Sequence, residues 1–218
     1  MINSSTLPIV DVHCHPFSPT GKLTAREFTD AVAFPGGGVE FMAEGGVPAD
    51  DVLIAEIQQV RRDTVYFRYL VRQLAGFFDC EPVLEQVLAA RNEAVKDYRG
   101  YITRLYEAVG LTTLVADFGY PLPPVDVAGF RQDVGVEVVP VYRIEPLIAE
   151  LLKSDCGWAE FRRRYDEAIV RALETEGFKG VKSIIAYRTG LEVSPLSRTP
   201  DQGLQALEPS GAASAGRP

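Results

Sequence analysis

Histidine is nearly absent from this chain: two residues in 218, His13 and His15, two positions apart. Lysine is scarce as well, and the 22 basic residues are outnumbered by 30 acidic ones, leaving a formal charge of −8. The one basic run is the short Arg162-Arg163-Arg164, so no positive field exists to hold phosphates, which argues against a nucleic-acid partner. No apolar run approaches the roughly 20 residues that span a bilayer. Met1–Pro8 lacks the basic and apolar regions of a signal peptide, so neither membrane association nor secretion is expected. Cysteine is limited to Cys14, Cys80 and Cys156. They are odd in number and far apart, which speaks against a disulfide framework and for a reducing, cytoplasmic setting. Core-forming material is present in ordinary amount, with 46% hydrophobic and 24% charged residues, the balance of a globular protein.

The apolar run from Leu7 to Val12 reads as a strand that stops at His13-Cys14-His15-Pro16, because Pro16 cannot donate a ladder hydrogen bond. The cluster Pro35-Gly36-Gly37-Gly38 reads as loop. It lacks the Lys-Ser/Thr pair and the strand–turn–helix setting of a phosphate-binding loop. From about residue 49 to 109 the apolar spacing is helical in three segments. These are Val52–Val60, Tyr66–Phe78, and a long one from Val83 to Leu105 with Pro82 at its start and Gly110 past its end. Strands recur at 111–116, closing at Asp117; at 136–142, ending at Arg143-Ile144-Glu145; and at 180–186. Helices at about 125–133, 146–153 and 158–176 separate them. That alternation is the mark of βαβ units and a parallel sheet. The expected fold is α/β of TIM-barrel type, incomplete, with four strands where a closed barrel has eight and about 250 residues. A helical insertion follows the first strand. Residues 1–196 are assigned to this barrel portion, and 197–218, rich in Gly, Ala, Ser and Pro, to a flexible tail.

Side chains at i and i+2 of a strand share a face. Asp11, His13 and His15 therefore point one way, and Val12 and Cys14 the other. Two imidazoles at the C-terminal end of a strand are placed to hold one divalent cation, zinc foremost. Asp11, one step deeper, is placed to orient a ligand ring. Cys14 reads as packing. Asp117 ends the second strand, and Arg143 and Glu145 follow the third, all three at the same rim. Arg143 or Arg188 is suited to clamp a substrate carboxylate through two parallel hydrogen bonds, with Asp117 beside them; strand-end ion pairs are the plainer reading. The aromatics Tyr66, Phe67, Tyr69, Phe77 and Phe78 read as helical core. Arg162-Arg163-Arg164 reads as a solvated helix face paired with Glu160 and Asp166.

The segment Ile9-Val10-Asp11-Val12-His13-Cys14-His15-Pro16 resembles the opening strand of the amidohydrolase superfamily. Residues 177–191, Gly177-Phe178-Lys179-Gly180-Val181-Lys182-Ser183-Ile184-Ile185-Ala186-Tyr187-Arg188-Thr189-Gly190-Leu191, resemble the fourth-strand segment of one branch. That branch occurs alone or fused ahead of a glutamine-synthetase-like domain. Tyr142-Arg143-Ile144-Glu145 is similar to the same branch, and the likeness covers about residues 7–195. The resemblance implies a metal-dependent hydrolase in which metal-bound hydroxide attacks an amide-like C–N bond of a small-molecule substrate, or in related members a C–C bond. It implies His13 and His15 as first-strand metal ligands and Lys182 as a candidate catalytic residue on the fourth strand. In some members a lysine on that strand is carboxylated and bridges two metals. The superfamily also supplies a later His and a last-strand Asp, and this sequence has no third histidine. The expectation is an N-terminal fragment from a truncated or frameshifted gene, inactive alone and prone to self-association through its uncovered barrel edge. Two other readings stay open. One is a catalytically inactive interaction module. The other is a histidinol-phosphatase-like (PHP-type) barrel, which also opens with His-x-His but needs later histidines.

Overall fold

A computed structural model describes residues 7–32, 46, 50–121, 124–154 and 156–190. The glycine cluster at 36–38 and the segment 197–218 lie outside the described residues. Along the chain run β1 (Ile9–Cys14), α1 (Ala25–Val32), α2 (Asp51–Asp63), α3 (Val65–Phe78), α4 (Leu84–Ala94), a 3₁₀ turn (Val95–Asp97) and α5 (Tyr98–Val109). Then come β2 (Leu111–Asp117), α6 (Val127–Val134), β3 (Glu137–Arg143), α7 (Ile144–Lys153), α8 (Trp158–Glu174), β4 (Gly180–Lys182) and the single turn α9 (Ala186–Thr189). Contacts group these into two units. The first is Met1–Phe17, Leu111–Gln132 and Val136–Pro218; the second is Ser18–Gly110 with Asp133–Gly135. No described helix is long and apolar enough to cross a membrane.

The first unit is a four-stranded parallel sheet in the order β1-β2-β3-β4, consistent with part of a barrel. Its register is regular from Thr113↔Glu137 to Asp117↔Val141, then from Val141↔Gly180 to Arg143↔Lys182. β1 and β2 pair with register shifts on either side of Val10–Asp11. Period-two burial puts Leu114 and Ala116 of β2, and Val138 and Pro140 of β3, into the core. Leu147 and Leu151 of α7 meet Ala168 of α8, with Tyr142, Phe161, Tyr165 and Ile169 packed around them. Phe130 of α6 stands edge-on to both Phe17 and Phe118.

β4 is shorter than the expected 180–186. Its three residues give way to a turn because the Glu145 carboxylate accepts from the Ile184 backbone N–H at 2.7 Å and from the Ser183 hydroxyl at 2.6 Å. The Ser183 oxygen in turn accepts from Ile185 N–H. Those donors are lost to any strand ladder, and the chain turns into α9.

The second unit is helical. It opens with α1, which periodicity alone did not reveal. Its local signal is a capping box: Thr24 Oγ1 accepts from Glu27 N–H, and Thr24 N–H returns to the Glu27 carboxylate at 2.7 Å. The expected single helix over Val83–Leu105 is two helices. Asp97 accepts from Gly100 N–H at 3.1 Å, capping α5 and interrupting the run. A Cβ on Gly100 would lie 2.1 Å from that carboxylate, so glycine makes room for the cap. The core of this unit is Phe28, Phe67, Val71, Ala75 and Val87. Of the aromatics expected inside, Phe67 is buried, whereas Tyr66 and Tyr69 lie outside it at 61% and 53% exposure.

Candidate active-site rim

Asp117 is the centre of the arrangement. It is the last residue of β2, and its side chain is completely buried. Its carboxylate accepts from Arg143 Nε at 3.0 Å and Nη2 at 2.5 Å, from Lys182 Nζ at 2.9 Å and from Gly119 N–H at 2.9 Å. Burial alone would raise its pKa, but the hydrogen bonds from Arg143, Lys182 and Gly119 outweigh it and hold the carboxyl below the usual range. Expected at the substrate, Asp117 is instead a sealed anion that orders the cations around it. Arg143, expected to clamp a substrate carboxylate, spends its guanidinium on Asp117 and is only 11% exposed.

Gly119 permits this pairing. A Cβ at that position would stand 2.3 Å from the Arg143 Cβ and 2.7 Å from its Cδ. The arginine stem therefore lies directly over the glycine backbone on its way to Asp117.

His13 and His15 come together as their spacing implies, although β1 ends at Cys14. Their ring centroids are 5.1 Å apart, edge to face. His15 Nδ1 lies 3.3 Å from the Asp117 backbone carbonyl and 4.0 Å from its carboxylate. The ring of Tyr120 stands edge-on to His15 at 5.4 Å. Lys182 Nζ lies 3.0 Å from Nε2 and 3.1 Å from Nδ1 of His13. Burial, the Lys182 charge and the neighbouring His15 together lower the His13 pKa, against smaller opposing pulls from Asp117 and Asp11. A neutral imidazole facing an ammonium is the state these groups favour. Asp11 does not reach either ring; its carboxylate accepts the His13 backbone N–H at 3.0 Å and so shapes the strand end. Cys14 points away, its thiol 3.8 Å from the Val115 carbonyl, and burial pushes its pKa up to about 11. That suits packing and not nucleophilic attack. Arg188 falls in α9, and its side chain lies outside the described residues.

The contact between Lys182 and His13 also measures the sheet. Three interstrand steps would hold β1 and β4 about 14 Å apart if the sheet were flat. Side chains from these two edges touch, so the sheet curls and the C-terminal ends of β1, β2 and β4 aim at one point. Beside this rim lies a cavity of about 440 Å³ lined by Phe118, Val125, Tyr142, Arg143, Pro146 and Phe178, within the size range of small-molecule sites.

As it stands, the donor set falls short of a firm metal site. A divalent ion needs three or more protein ligands, and the two imidazoles are joined only by a carboxylate already saturated by Arg143 and Lys182. Among the described residues no group of three or more His, Cys, Asp or Glu side chains is arranged to hold a metal ion. Two residues of the rim carried no sequence signal of their role: Gly119 and Tyr120. The pattern Asp117-x-Gly119 at a strand end is the nearest to one, since a short acidic side chain readily accepts the N–H two residues on.

No protein-family model and no curated protein matches the chain. Among solved structures, a protein from Lactobacillus casei ATCC 334, provisionally named a metal-dependent hydrolase, shares the fold with a TM-score of 0.62 and 22% identity. The match covers 87% of this chain and 45% of that one, so the chain spans about half the length of its structural neighbour.

Proposed function

We propose that this chain carries part of the active site of a metal-dependent hydrolase of amidohydrolase type, acting on an amide-like C–N bond of a small molecule in a reducing, cytoplasmic setting. The observation that carries the reading is the convergence of His13, His15 and Lys182 on the C-terminal ends of parallel strands, the end at which α/β barrels hold their chemistry. In this reading His13 and His15 are two of the ligands of a divalent ion, for which zinc is well suited to imidazole. Two imidazoles are fewer than the three or more protein ligands of a firm site. Asp117 is buried and its carboxylate is paired with Arg143. They fix the rim on which the imidazoles stand, and Tyr120 covers the His15 edge. An ion there would polarise the scissile carbonyl and acidify a water.

A second reading, a catalytically inactive module, draws support from one fact: Asp117, Arg143 and Lys182 already satisfy one another, as a structural cluster does. The test is metal analysis of the purified chain together with turnover on a panel of amides. The His13→Ala/His15→Ala variant is expected to lose the bound metal and any turnover. Undiminished metal content in that variant would remove the hydrolase reading. Absence of both metal and turnover in the parent chain would favour the module.

A further inference from the structure

The helical unit holds a cavity of its own, of about 670 Å³, within the size range of small-molecule sites. Arg62 comes to its wall from the end of α2, and Val65, Arg68, Tyr69 and Arg72 from α3. The α3 residues recur at three- and four-residue steps, which places them along one face of that helix. The start of α4 adds Glu85. Val65 is 86% exposed and Tyr69 53%, apolar surface that packing within the protein leaves open. Phe67 and Val71, also in the wall, belong to the buried core. Three guanidiniums in one wall stand out in a chain whose charge is −8, and they are engaged differently. Arg68 donates to the Asp63 carboxylate at 2.7 Å. Arg62 gives its Nε to the buried Thr29 hydroxyl at 3.1 Å, which anchors the head and leaves both Nη nitrogens to other acceptors. Arg72 stands over the Tyr69 ring, 5.7 Å from its centroid, a contact that holds the guanidinium without neutralising it. Among the described residues no carboxylate pairs with Arg62 or Arg72.

We propose that this cavity binds an organic carboxylate with an apolar body. The guanidiniums of Arg62 and Arg72 meet the anionic end, and Val65, Tyr69 and Val71 take the apolar body. A planar guanidinium fork matches a two-oxygen acceptor, and apolar surface left open in the same wall gains by being covered. Glu85, the one acid in the wall, weighs against a doubly charged head such as a phosphate monoester. The cavity shares no lining residue with the rim of His13 and Asp117, so this site stands or falls independently of the hydrolase reading.

The test is calorimetric titration of the full chain with octanoate. Octanol and acetate, each carrying one half of the ligand, and octyl phosphate, carrying a second charge, are titrated beside it. Octanoate should bind saturably, and octanol and acetate about tenfold more weakly or worse. Arg72→Met keeps the apolar stem and should weaken octanoate about tenfold, the lower end for charge-assisted hydrogen bonds at a partly exposed site, with octanol unaffected. Its urea midpoint should equal the parent's, because Arg72 is exposed and holds no ion pair among the described residues. Arg62→Met should show the same shift in octanoate affinity, and Arg163→Met, in the sheet-bearing unit, none. Octanol binding as tight as octanoate overturns the anionic end, and tighter binding of octyl phosphate overturns the carboxylate. Octanoate affinity unchanged in both Arg62→Met and Arg72→Met removes the site from this cavity. Absence of saturable octanoate binding overturns the proposal, and a dimer that Val65→Ser then dissociates would give the surface to a second copy of the chain.

Discussion

Arg143→Met is the sharpest probe of the rim, because it removes the larger of two cations from an anion that water cannot reach. The Asp117 side chain is 0% exposed and Arg143 11%, so the pair is not an exposed ion pair of small effect. Taking one partner from a buried pair costs about 3–5 kcal/mol when the other is left uncompensated. Here Lys182 and the Gly119 N–H remain on Asp117, and the methionine stem keeps most of the packing over Gly119. The expected loss therefore falls below that range, at about 2–3 kcal/mol. With a urea dependence of about 1–3 kcal/mol per molar for a protein of this size, the midpoint should fall by about 1–2 M. The chain has a single tryptophan. Trp158 stacks on Phe161 in the sheet-bearing unit, so its fluorescence reports the unit in question. Asp117→Asn added to Arg143→Met should recover part of the loss, since the uncompensated charge is gone and only neutral groups stay buried. The double-variant cycle thus carries the argument: coupling should be strong, with the pair of changes costing well below the sum of each alone. A single variant within about 0.5 kcal/mol of the parent, the spread of ordinary surface changes, or a double variant that costs the full sum, would refute the idea of a sealed, cation-locked carboxylate.

Other consequences are more direct. Gly119→Ala should destabilise the same unit, because the new methyl would stand 2.3 Å from the Arg143 Cβ and must push the guanidinium off Asp117; a tryptophan-monitored midpoint equal to the parent's would contradict the geometry. The folded Asp117 pKa lies below its unfolded value, so its stabilisation is complete above the ordinary carboxylate range, about pH 4, and is lost as pH falls from there through the lower folded value; Asp117→Asn should flatten this acid limb of the urea midpoint against pH. The folded His13 pKa is also depressed. The unfolded chain therefore takes up that proton first as pH drops below about 6.5, stability declines there, and His13→Gln should remove that part of the slope. Arg163, tied to Glu160 and Glu167 on the open face of α8, should change the midpoint by no more than experimental error when replaced with alanine, since exposed ion pairs contribute little.

Much of the architecture was legible because it is local. The side-by-side placement of His13 and His15 follows from the two-residue period of a strand. The parallel sheet follows from strands alternating with helices after residue 110, and Gly110 ends α5 at a φ of 70°, where glycine carries no Cβ penalty. Even the misses had local causes: the capping box that starts α1 was written in Thr24 and Glu27, and the break between α4 and α5 in Asp97 and Gly100. The site is another matter. Nothing near residue 182 says that its ammonium will lie against an imaizole ring 169 residues earlier, and nothing near Asp117 says that it will be buried and not facing substrate. Nor does Glu145 disclose that it will end β4 by taking the donors of Ser183 and Ile184. Each depends on which opposite charge or open donor the curled sheet brings within hydrogen-bond reach. Secondary-structure periods repeat every two or 3.6 residues and can be read from a few neighbours. Charge pairing in a buried rim is decided by distances through space, and those are set only when all four strands have closed on one another.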